Sequence, residues 1–489
     1  MRLISFIIGL FLSVVSIAQQ GTYTRIFSGP SYDEGIAVFR LPNKEIRLIG
    51  NTGSYGHGNT DVWLIALDSN GNFLWHKFYG GPNIEKVEDA VMTSSGDIFM
   101  VGSTTQNTSA SYQVYFLGVD QYGQIISYNN YGGTNWEFGH GIDLISDTTF
   151  ALVGETYSYG MGQSDVFVLK VNRQGDTLWT KTYGGLNEDR GNAIKLMPDK
   201  GLMIVGTTKS FGNGSFDSYM LRLQQDGDTV WTKVVSHISD AEYYSMAINP
   251  DTSMVCVGYM SDTLNTYHDV DLAKFDQNSN FKWSAASQLS EGEECNIKSI
   301  FREDNGDYIY CGITNKYSAS QYSNIRVARI SSAGWWQSSE AIGESMEEVG
   351  NAISLDDFNG KHYFLVGTTK SYDVKRSGIY FVRLDSNFNF DTTRLVDTPT
   401  QISQSTTSQL MKLYPNPAFD YLNLDMSNIN EDGELCIFNL LGMLVKKIRI
   451  DANTSAFRIS IANLESGAYL ITYRSQEILL QRQFVKLNY

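Results

Sequence analysis

The chain has 489 residues and a formal net charge of −16. This length exceeds what one hydrophobic core usually serves, so two or three domains are expected, and 42% apolar residues exclude general disorder. The acidic balance argues against nucleic-acid binding, while the many Gly, Tyr and Phe residues indicate strands and tight turns rather than helices.

The amino terminus has the pattern of a secretory signal peptide. A positive charge at Arg2 precedes an apolar stretch, 3–17, and small residues follow at Ser16 and Ala18. This predicts a signal peptide over 1–18 that is cut between Ala18 and Gln19. The stretch is short for a membrane span and no later segment approaches one, so we expect an exported chain without a transmembrane segment.

The central region is a repeat of about 52 residues. An apolar run that ends in glycine recurs seven times, at Gly50, Gly102, Gly154, Gly206, Gly258, Gly312 and Gly367. Two residues after the glycine stands Thr52, Thr104, Thr156, Thr208, Thr314 or Thr369, and Met260 takes this place in the fifth unit. Turn signals divide each unit into four short strands. Seven such units predict an all-β chain with a seven-bladed β-propeller.

Two further columns run through the repeat. A polar residue opens the third strand of the first five units: Asp61, Gln113, Asp165, Asp217 and Asp269. A tryptophan stands in the fourth strand of four units, at Trp75, Trp179, Trp231 and Trp283, and Tyr-Gly-Gly ends this strand in three. We expect the carboxylates to accept backbone N–H groups of turns, and the indoles to fill the space between blades.

The two ends of the repeat region are expected to meet. Residues 23–28 align with the fourth-strand segment that lies 52 residues further on, whereas the seventh unit has Thr392 where a tryptophan is expected. We therefore predict that strand 23–28 completes the last blade and closes a propeller over 19–395. Closure removes the exposed sheet edges that invite aggregation.

The repeats resemble the SBBP-type β-propeller repeats of secreted bacterial proteins. The residues that carry the resemblance in one unit are Asp165, Phe167, Lys170, Gly184, Gly185, Asp189, Gly191, Ala193, Ile194, Gly206, Thr208 and Ser210. The resemblance covers roughly 23–390. It implies a fold and export but no single activity, because propellers serve many functions.

After the repeats the composition changes. Residues 396–410 are rich in Thr, Ser and Gln and predict a flexible linker. Six strand-like runs follow within 411–489, which predicts a small Ig-like β-sandwich as a second domain.

This last segment contains several separated motifs in order, at Tyr414, Pro415, Asn416, Pro417, Asn439, Gly442, Val445, Leu464, Ser466, Gly467, Tyr469 and Lys486. These motifs resemble the type A sorting domain of the type IX secretion system, with Asn439 where the pattern prefers Asp. The resemblance implies that the type IX translocon and its sorting and attachment machinery are partners. It also implies a protein that is secreted or attached at the outer-membrane surface.

An acidic residue lies near the start of the first strand of each unit. The set is Asp33, Glu85, Glu137, Asp189, Asp240, Glu294 and Glu348. The first strand of a propeller blade lines the central channel, so these carboxylates could ring one channel mouth and bind calcium. The alternative is that each carboxylate caps its own loop or contacts the next blade. The six histidines show no metal-ligand spacing, and no nucleophile or phosphate-binding motif is found, so no catalytic residue and no established metal site is assigned.

Three classes of function are compatible with these features. The first is a surface-delivered binding or adhesion module whose loops meet an unknown surface glycan or protein. The second is a secreted glycan lyase or hydrolase that uses paired carboxylates on a propeller scaffold. The third is a structural surface-layer component. The similar unit lengths favour the first and third, because an active site usually breaks repeat symmetry with long insertions.

Overall fold

A computed structural model gives the structure of the chain as two compact units, Met1–Thr398 and Pro399–Tyr489. It describes residues 21–105, 111–213, 215–237, 239–261, 268–285, 295–315, 322–391, 394–397, 411–415, 418–426, 432–439, 444–452, 456–464, 466–474 and 479–487. These residues form strands, and among them we find no helix long and apolar enough to cross a membrane. The signal peptide predicted at 1–18, with its cut at Ala18 and Gln19, lies outside the described residues.

The described residues of the first unit form seven sheets that follow one another along the chain, six of them wholly antiparallel and the seventh mixed. Sheet 7 includes the first strand of the chain, β1 (Tyr23–Ser28). Sheet 1 holds β2 (Asp33–Arg40), β3 (Ile46–Thr52), β4 (Asp61–Leu67) and β5 (Phe73–Tyr79), and sheet 2 holds β6 (Glu85–Met92), β7 (Ile98–Thr104), β8 (Gln113–Val119) and β9 (Ile125–Tyr131). Sheet 3 holds β10 (Glu137–Ser146), β11 (Thr149–Thr156), β12 (Asp165–Asn172) and β13 (Thr177–Tyr183), and sheet 4 holds β14 (Asp189–Leu196), β15 (Leu202–Thr208), β16 (Asp217–Leu223) and β17 (Thr229–Val235).

The remaining sheets of this unit continue the pattern. Sheet 5 holds β18 (Ala241–Ile248), β19 (Met254–Ser261), β20 (His268–Phe275) and β21 (Phe281–Ser284), and sheet 6 holds β22 (Cys295–Arg302), β23 (Tyr308–Thr314), β24 (Asn324–Ile330) and β25 (Trp336–Ile342). Sheet 7 holds β26 (Glu348–Asp356), β27 (His362–Thr369), β28 (Gly378–Asp385), then β1, and last β29 (Arg394–Asp397).

Short polar turns join the strands. Polar side chains in these turns accept hydrogen bonds from backbone N–H groups that have no partner in a neighbouring strand. In the turn between β4 and β5, Asp68 Oδ1 accepts hydrogen bonds from the backbone N–H groups of Asn70, at 2.8 Å, and Asn72, at 2.9 Å. Gly71 in this turn has φ of 81°, a conformation that favours glycine. The same Asx-turn recurs in sheet 2, where Asp120 accepts from two backbone N–H groups.

The hydrophobic core lies between sheets rather than inside them. Seven buried apolar clusters are present, and each joins two successive sheets. The cluster around Trp63 joins sheet 1 to sheet 7, so the last sheet packs against the first. This arrangement of four-stranded sheets is propeller-like and all-β.

Tyrosines of the Tyr-Gly-Gly motif join sheets 1, 2 and 3 to the sheet that follows each of them. The hydroxyl group of Tyr79 donates to the carbonyl oxygen of Gly123, in the turn between β8 and β9, at 2.8 Å. Tyr131 and Tyr183 repeat this bond one and two sheets later. The Trp75 side chain lies against the same Gly123, which has φ of 70°. The aromatic columns therefore belong to the contacts between sheets.

Strand β1 lies within sheet 7. It pairs antiparallel with β28 and parallel with β29, and both Ile26 and Phe27 are fully buried. Ile26 packs into the cluster shared by sheets 6 and 7, whereas Phe27 packs into the cluster shared by sheets 7 and 1. Strand β29 ends at Asp397, inside the linker predicted over 396–410. The parallel pairing to β1 explains this difference, because residues 396 and 397 have backbone partners in sheet 7.

A buried ion triad links sheets 7 and 1. Arg40 and Arg383 both donate to the Asp356 carboxylate, with bonds at 2.9 and 2.6 Å. Burial raises the pKa of Asp356, but the hydrogen bonds and charges of the two arginines outweigh burial and hold the pKa below its ordinary value. The triad therefore stabilises the fold at neutral pH, and its contribution is lost as the pH falls through that lowered pKa.

The second unit has two sheets that share one apolar cluster. Strands β30 (Met411–Tyr414), β31 (Tyr421–Met426) and β34 (Ala456–Ser460) form the first sheet. Strands β33 (Leu444–Ile450), β32 (Gly433–Asn439), β35 (Gly467–Arg474) and β36 (Leu479–Lys486) form the second, in that order. Leu422, Leu435 and Ile471 are among the fully buried residues of the cluster.

We expect the Phe27→Ala variant to lose about 3–5 kcal/mol of unfolding free energy, because Phe27 is fully buried where sheet 7 meets sheet 1. Urea unfolding followed by tryptophan fluorescence measures this, since all eight tryptophans lie in the first unit. Tyr32→Ala is the control, because that side chain is 57% exposed. Equal stability of the two variants would contradict a structural role for β1.

Candidate functional site

The acidic column lies at the start of the first strand of the sheets, and most of its members are buried. Asp33, Glu85, Glu137, Asp189 and Glu348 are at most 1% exposed. Asp240 is half-buried, and Glu294 lies outside the described residues. Each buried carboxylate sits at the first position of its strand, where the chain enters the sheet from a loop.

The buried carboxylates are bonded within their own units. Glu137 accepts from the hydroxyl group of Thr156 at 3.0 Å and from the backbone N–H of Gly133 at 2.9 Å. Glu85 makes the corresponding bonds to Thr104 and Gly81. The partners Thr104 and Thr156 belong to the threonine column that follows the repeat glycines. The acidic column and the threonine column are therefore two halves of one contact.

The observed strand pairing shows that two predicted members of the acidic column, in sheets 5 and 6, do not occupy the equivalent position. Asp33 pairs with Thr52 across the sheet, whereas in sheet 5 it is Ala241, not Asp240, that pairs with Met260. In sheet 6 the paired residue is Cys295, one position after Glu294. In sheet 5, therefore, Met260 stands in place of the threonine and Ala241 stands in place of its acidic partner. Ala241 and Cys295 lie 17 residues before their repeat glycines, as Asp33 does, whereas the acidic residues Asp240 and Glu294 lie 18 before, so the prediction followed the charge rather than the spacing.

A third column meets the same contact. An added Cβ at Gly80, the first glycine of Tyr-Gly-Gly, would clash with carboxylate oxygens of both Asp61 and Glu85. Gly184 is placed in the same way between Asp165 and Asp189. Glycine is needed here because the carboxylates of two successive sheets approach one backbone position. The third-strand aspartates also cap their own loops, as Asp61 Oδ2 accepts from two backbone N–H groups.

These contacts are those of the loop-cap alternative. Among the residues that the structure describes, no three His, Cys, Asp or Glu side chains are grouped so that they could hold a metal ion. Burial raises the pKa of Asp33 and of Glu348, and hydrogen bonds from Ser and Thr hydroxyl groups oppose that shift. Calcium binding by the acidic column stays a prediction, and a bound ion would have to compete with these donors.

The first strands of all seven sheets line one cavity of about 490 Å³, here called the central channel. Its lining residues are Glu34, Ile36, Lys86, Glu88, His140, Arg190, Asn192, Glu242, Tyr244, Lys298, Val349 and Asn351. They are second or fourth residues of these first strands, whereas the buried members of the acidic column are first residues. Because side chains alternate along a strand, the column residues and the channel residues point to opposite sides.

Most charges of the central channel are paired. Lys86 lies 3.0 Å from Glu88 and 3.6 Å from Glu34. Arg190 donates to Glu242 Oε1 at 2.9 Å, and Glu242 is only 3% exposed. Asn192 also donates to Glu242, at 2.7 Å. Three cations and three carboxylates line the channel, so its net formal charge with neutral histidine is zero in a chain of −16.

Lys298 differs from the other cations. Its ammonium group lies 3.9 Å from the centre of the Tyr244 ring, and the described residues provide it with no carboxylate within ion-pair distance. Burial lowers the pKa of Lys298, and the more distant Glu242 and Glu88 oppose that shift. This lysine can therefore receive an anion from outside the protein.

The channel residues were missed from the sequence, although a signal was present. The second residue of the first strand is Glu, Lys, Phe, Arg, Glu, Asn or Val in the seven sheets. A repeat keeps its structural positions alike, so a position that varies in charge and size is free of a common structural role. In the first six units this position lies 16 residues before the repeat glycine, so spacing aligns it, but only the structure brings these residues into one cavity.

The sorting-motif residues divide into buried and exposed groups. Tyr469 is 7% exposed and stacks on Phe484, while Lys486 is 2% exposed and bonds the carbonyl oxygen of Leu487. Leu464 packs against the apolar cluster, and Gly467 opens β35. Tyr414 is 47% exposed and Pro415 is also exposed. Asn416, Pro417 and Gly442 lie outside the described residues.

Residues 412–487 match the family model of the secretion system C-terminal sorting domain. The chain therefore carries this sorting domain in its second unit. A domain of this kind implies interaction with the type IX secretion machinery and secretion to the cell surface or outside. The motif-based prediction of a sorting domain is confirmed, whereas the SBBP-type family of the repeats stays a prediction.

Solved structures similar to this chain include Sqt1 from Chaetomium thermophilum, an acylaminoacyl peptidase from Pyrococcus horikoshii and a puromycin hydrolase. The identities are 14%, 8% and 10%, and the TM-scores are 0.44, 0.42 and 0.46. The matches to Sqt1, the peptidase and the hydrolase cover 77%, 81% and 93% of this chain. They cover 87% of Sqt1, 58% of the peptidase and 60% of the hydrolase, so the chain spans less than two thirds of the peptidase and of the hydrolase. We draw no functional conclusion from such distant similarity. No curated protein matches the chain.

The acid–threonine contact predicts a measurable coupling. Glu137→Ala leaves the O–H of Thr156 without its acceptor, which should cost about 1–3 kcal/mol of unfolding free energy, while the Thr156 oxygen still accepts from the backbone N–H groups of Ser158 and Tyr159. Thr156→Val removes the O–H together with that acceptor, so the loss of the Glu137–Thr156 bond is counted in both single variants but only once in the double variant. We expect the double variant to lose at least about 0.5 kcal/mol less than the sum of the single variants, measured by urea unfolding. Strict additivity would contradict the contact.

Proposed function

We propose that the chain is an exported binding module: a closed seven-bladed β-propeller that an Ig-like sorting domain delivers to the cell surface or outside. Its central channel is the binding site for a small polar ligand of the extracellular surroundings. The first unit is the delivered cargo, and the second unit is the signal for its delivery.

The sorting-domain match carries the export half of this proposal. The match lies in one compact unit, and the sheets that surround the channel all belong to the other. Independent units of this kind allow the tail to be recognised without disturbing the channel. The predicted signal peptide would supply the preceding step, passage through the inner membrane.

The lining of the central channel supports the binding half. Its volume of about 490 Å³ lies within the usual range for small-ligand sites, roughly 300–1,000 Å³. Charged groups, amides and one aromatic ring converge there from seven different strands. A purely structural ring has no need for a half-buried lysine without a carboxylate partner, because burying such a charge costs free energy. This favours a binding module over a surface-layer component.

The glycan lyase or hydrolase alternative has less support. Each channel carboxylate is engaged: Glu34 and Glu88 flank Lys86, and Glu242 is held by Arg190 and Asn192. A general acid needs a carboxyl group that keeps its proton, which neighbouring cations oppose. We therefore propose binding without turnover.

Deleting residues 411–489 should leave a folded first unit that stays in the periplasm, because the units pack separately and the sorting domain lies beyond the cut. Fusing 411–489 to an inert exported reporter should carry that reporter to the surface or medium. Cell fractionation with immunoblotting measures both results. Normal surface yield of the truncated protein would overturn the export proposal.

A larger side chain at Val349 should block the central channel, because Val349 is one of the residues that line it. We expect Val349→Trp to abolish binding of every channel ligand found in a glycan and metabolite screen of residues 19–489. Tyr32→Trp, at an exposed loop position, is the matched control. If all ligands bind the Val349→Trp variant normally while its melting temperature is unchanged, the channel is not the binding site.

A further inference from the structure

One charge in the central channel stands apart from the rest. Lys86 has two carboxylate neighbours, and Arg190 has Glu242. Lys298 rests on the ring of Tyr244 at 3.9 Å, and no carboxylate of the described residues lies within ion-pair distance. The channel therefore has one positive charge whose partner the described protein does not provide.

We propose that Lys298 binds the negatively charged group of a hydrophilic, singly charged ligand in the central channel. This inference rests on the proposed function and adds to it the chemical class of the ligand. A carboxylate or sulfate group on a sugar-sized molecule has this chemistry. The bond is a charge-assisted hydrogen bond from the ammonium group to an anionic oxygen.

The surrounding charges favour one negative charge over several. Glu34, Glu88 and Glu242 line the same cavity, so a polyanion would bring further negative groups against them. With a monoanion on Lys298, every charge of the channel has an opposite neighbour. The amides of Asn192 and Asn351 also line the cavity and suit a ligand that carries hydroxyl groups.

Tyr244 holds the lysine in place for this role. A cation over an aromatic ring is attracted by the negative face of the ring, which orients the ammonium group without neutralising its charge. Burial lowers the pKa of Lys298, as expected for a charge that lacks a close partner. An anion bound to the Lys298 ammonium group would offset the cost of burying its charge.

The chain contains a matched control for Lys298. The ammonium group of Lys209 lies 3.9 Å from the centre of the Phe216 ring, the same distance as in the Lys298–Tyr244 pair. Lys209 is also ion-paired with Glu188 at 2.8 Å, and it is absent from the lining of the channel. Lys209→Met therefore removes an aromatic-seated lysine without changing the channel.

The test is calorimetric titration of the full mature chain with glucuronate, galacturonate and N-acetylneuraminate. Glucose and galactose serve as neutral counterparts, and acetate as the free monoanion. We expect at least one sugar acid to bind while its neutral counterpart does not. Lys298→Met should weaken that binding about tenfold or more, the effect of one hydrogen bond to a charged group. Lys298→Arg should retain most of it, and Lys209→Met should leave it unchanged.

Further readouts separate the outcomes. Binding should weaken as the pH rises toward the lowered pKa of Lys298, and the Lys298→Arg variant should lack this weakening. Acetate binding that is lost in Lys298→Met supports the anion site and shows that the sugar is dispensable. If no acid binds, or if an acid binds equally to Lys298→Met, the inference is overturned. A neutral ligand that is lost in Val349→Trp but retained in Lys298→Met would uphold the proposed function and overturn this inference alone.

Discussion

The first unit depends on the packing of its last sheet against its first. Each sheet buries an apolar face against the next sheet. Without the contact between sheet 7 and sheet 1, one apolar face of each of these two sheets would be exposed to water. The contact between sheets 7 and 1 removes both faces. Phe27, Trp63 and Phe381 share its apolar cluster, and the Arg40–Asp356–Arg383 triad lies at the same junction. Because residues more than 300 positions apart meet there, such as Arg40 and Asp356, the junction forms only when all the intervening sheets are in place.

The same strand geometry separates structural residues from candidate functional residues. Successive side chains of a strand point to opposite sides, so neighbours in the sequence have different surroundings. Glu85 faces its own loop and Thr104, whereas the next residue, Lys86, faces the central channel. Repetition therefore marks the residues that build the sheets. Variation at the adjacent position leaves the channel open to a ligand-specific lining.

The proposed delivery and binding functions belong to different units. The sorting domain has its own apolar cluster, which includes Tyr469, and its motif residue Lys486 is also buried. Tyr414 and Pro415 are exposed at and just after its opening strand, so they are accessible to secretion machinery. Because the sorting domain contributes no residue to the channel, we expect substitutions in the channel to leave export intact.

The amino-acid sequence alone determined the all-β class, the period of the repeat and the sorting domain. These features rest on local signals: alternating apolar residues, turn residues such as Gly71, and motifs in a set order. The partnership of the acidic and threonine columns required the strand register, because the charge of Asp240 and the spacing of Ala241, 17 residues before Gly258, indicate different equivalents of Asp33. Only the tertiary structure showed the central channel, and only there is it seen that Lys298 has no carboxylate partner among the described residues. Their residues come from seven strands spread over more than 300 positions, and proximity at such separation depends on how the sheets pack rather than on any local pattern.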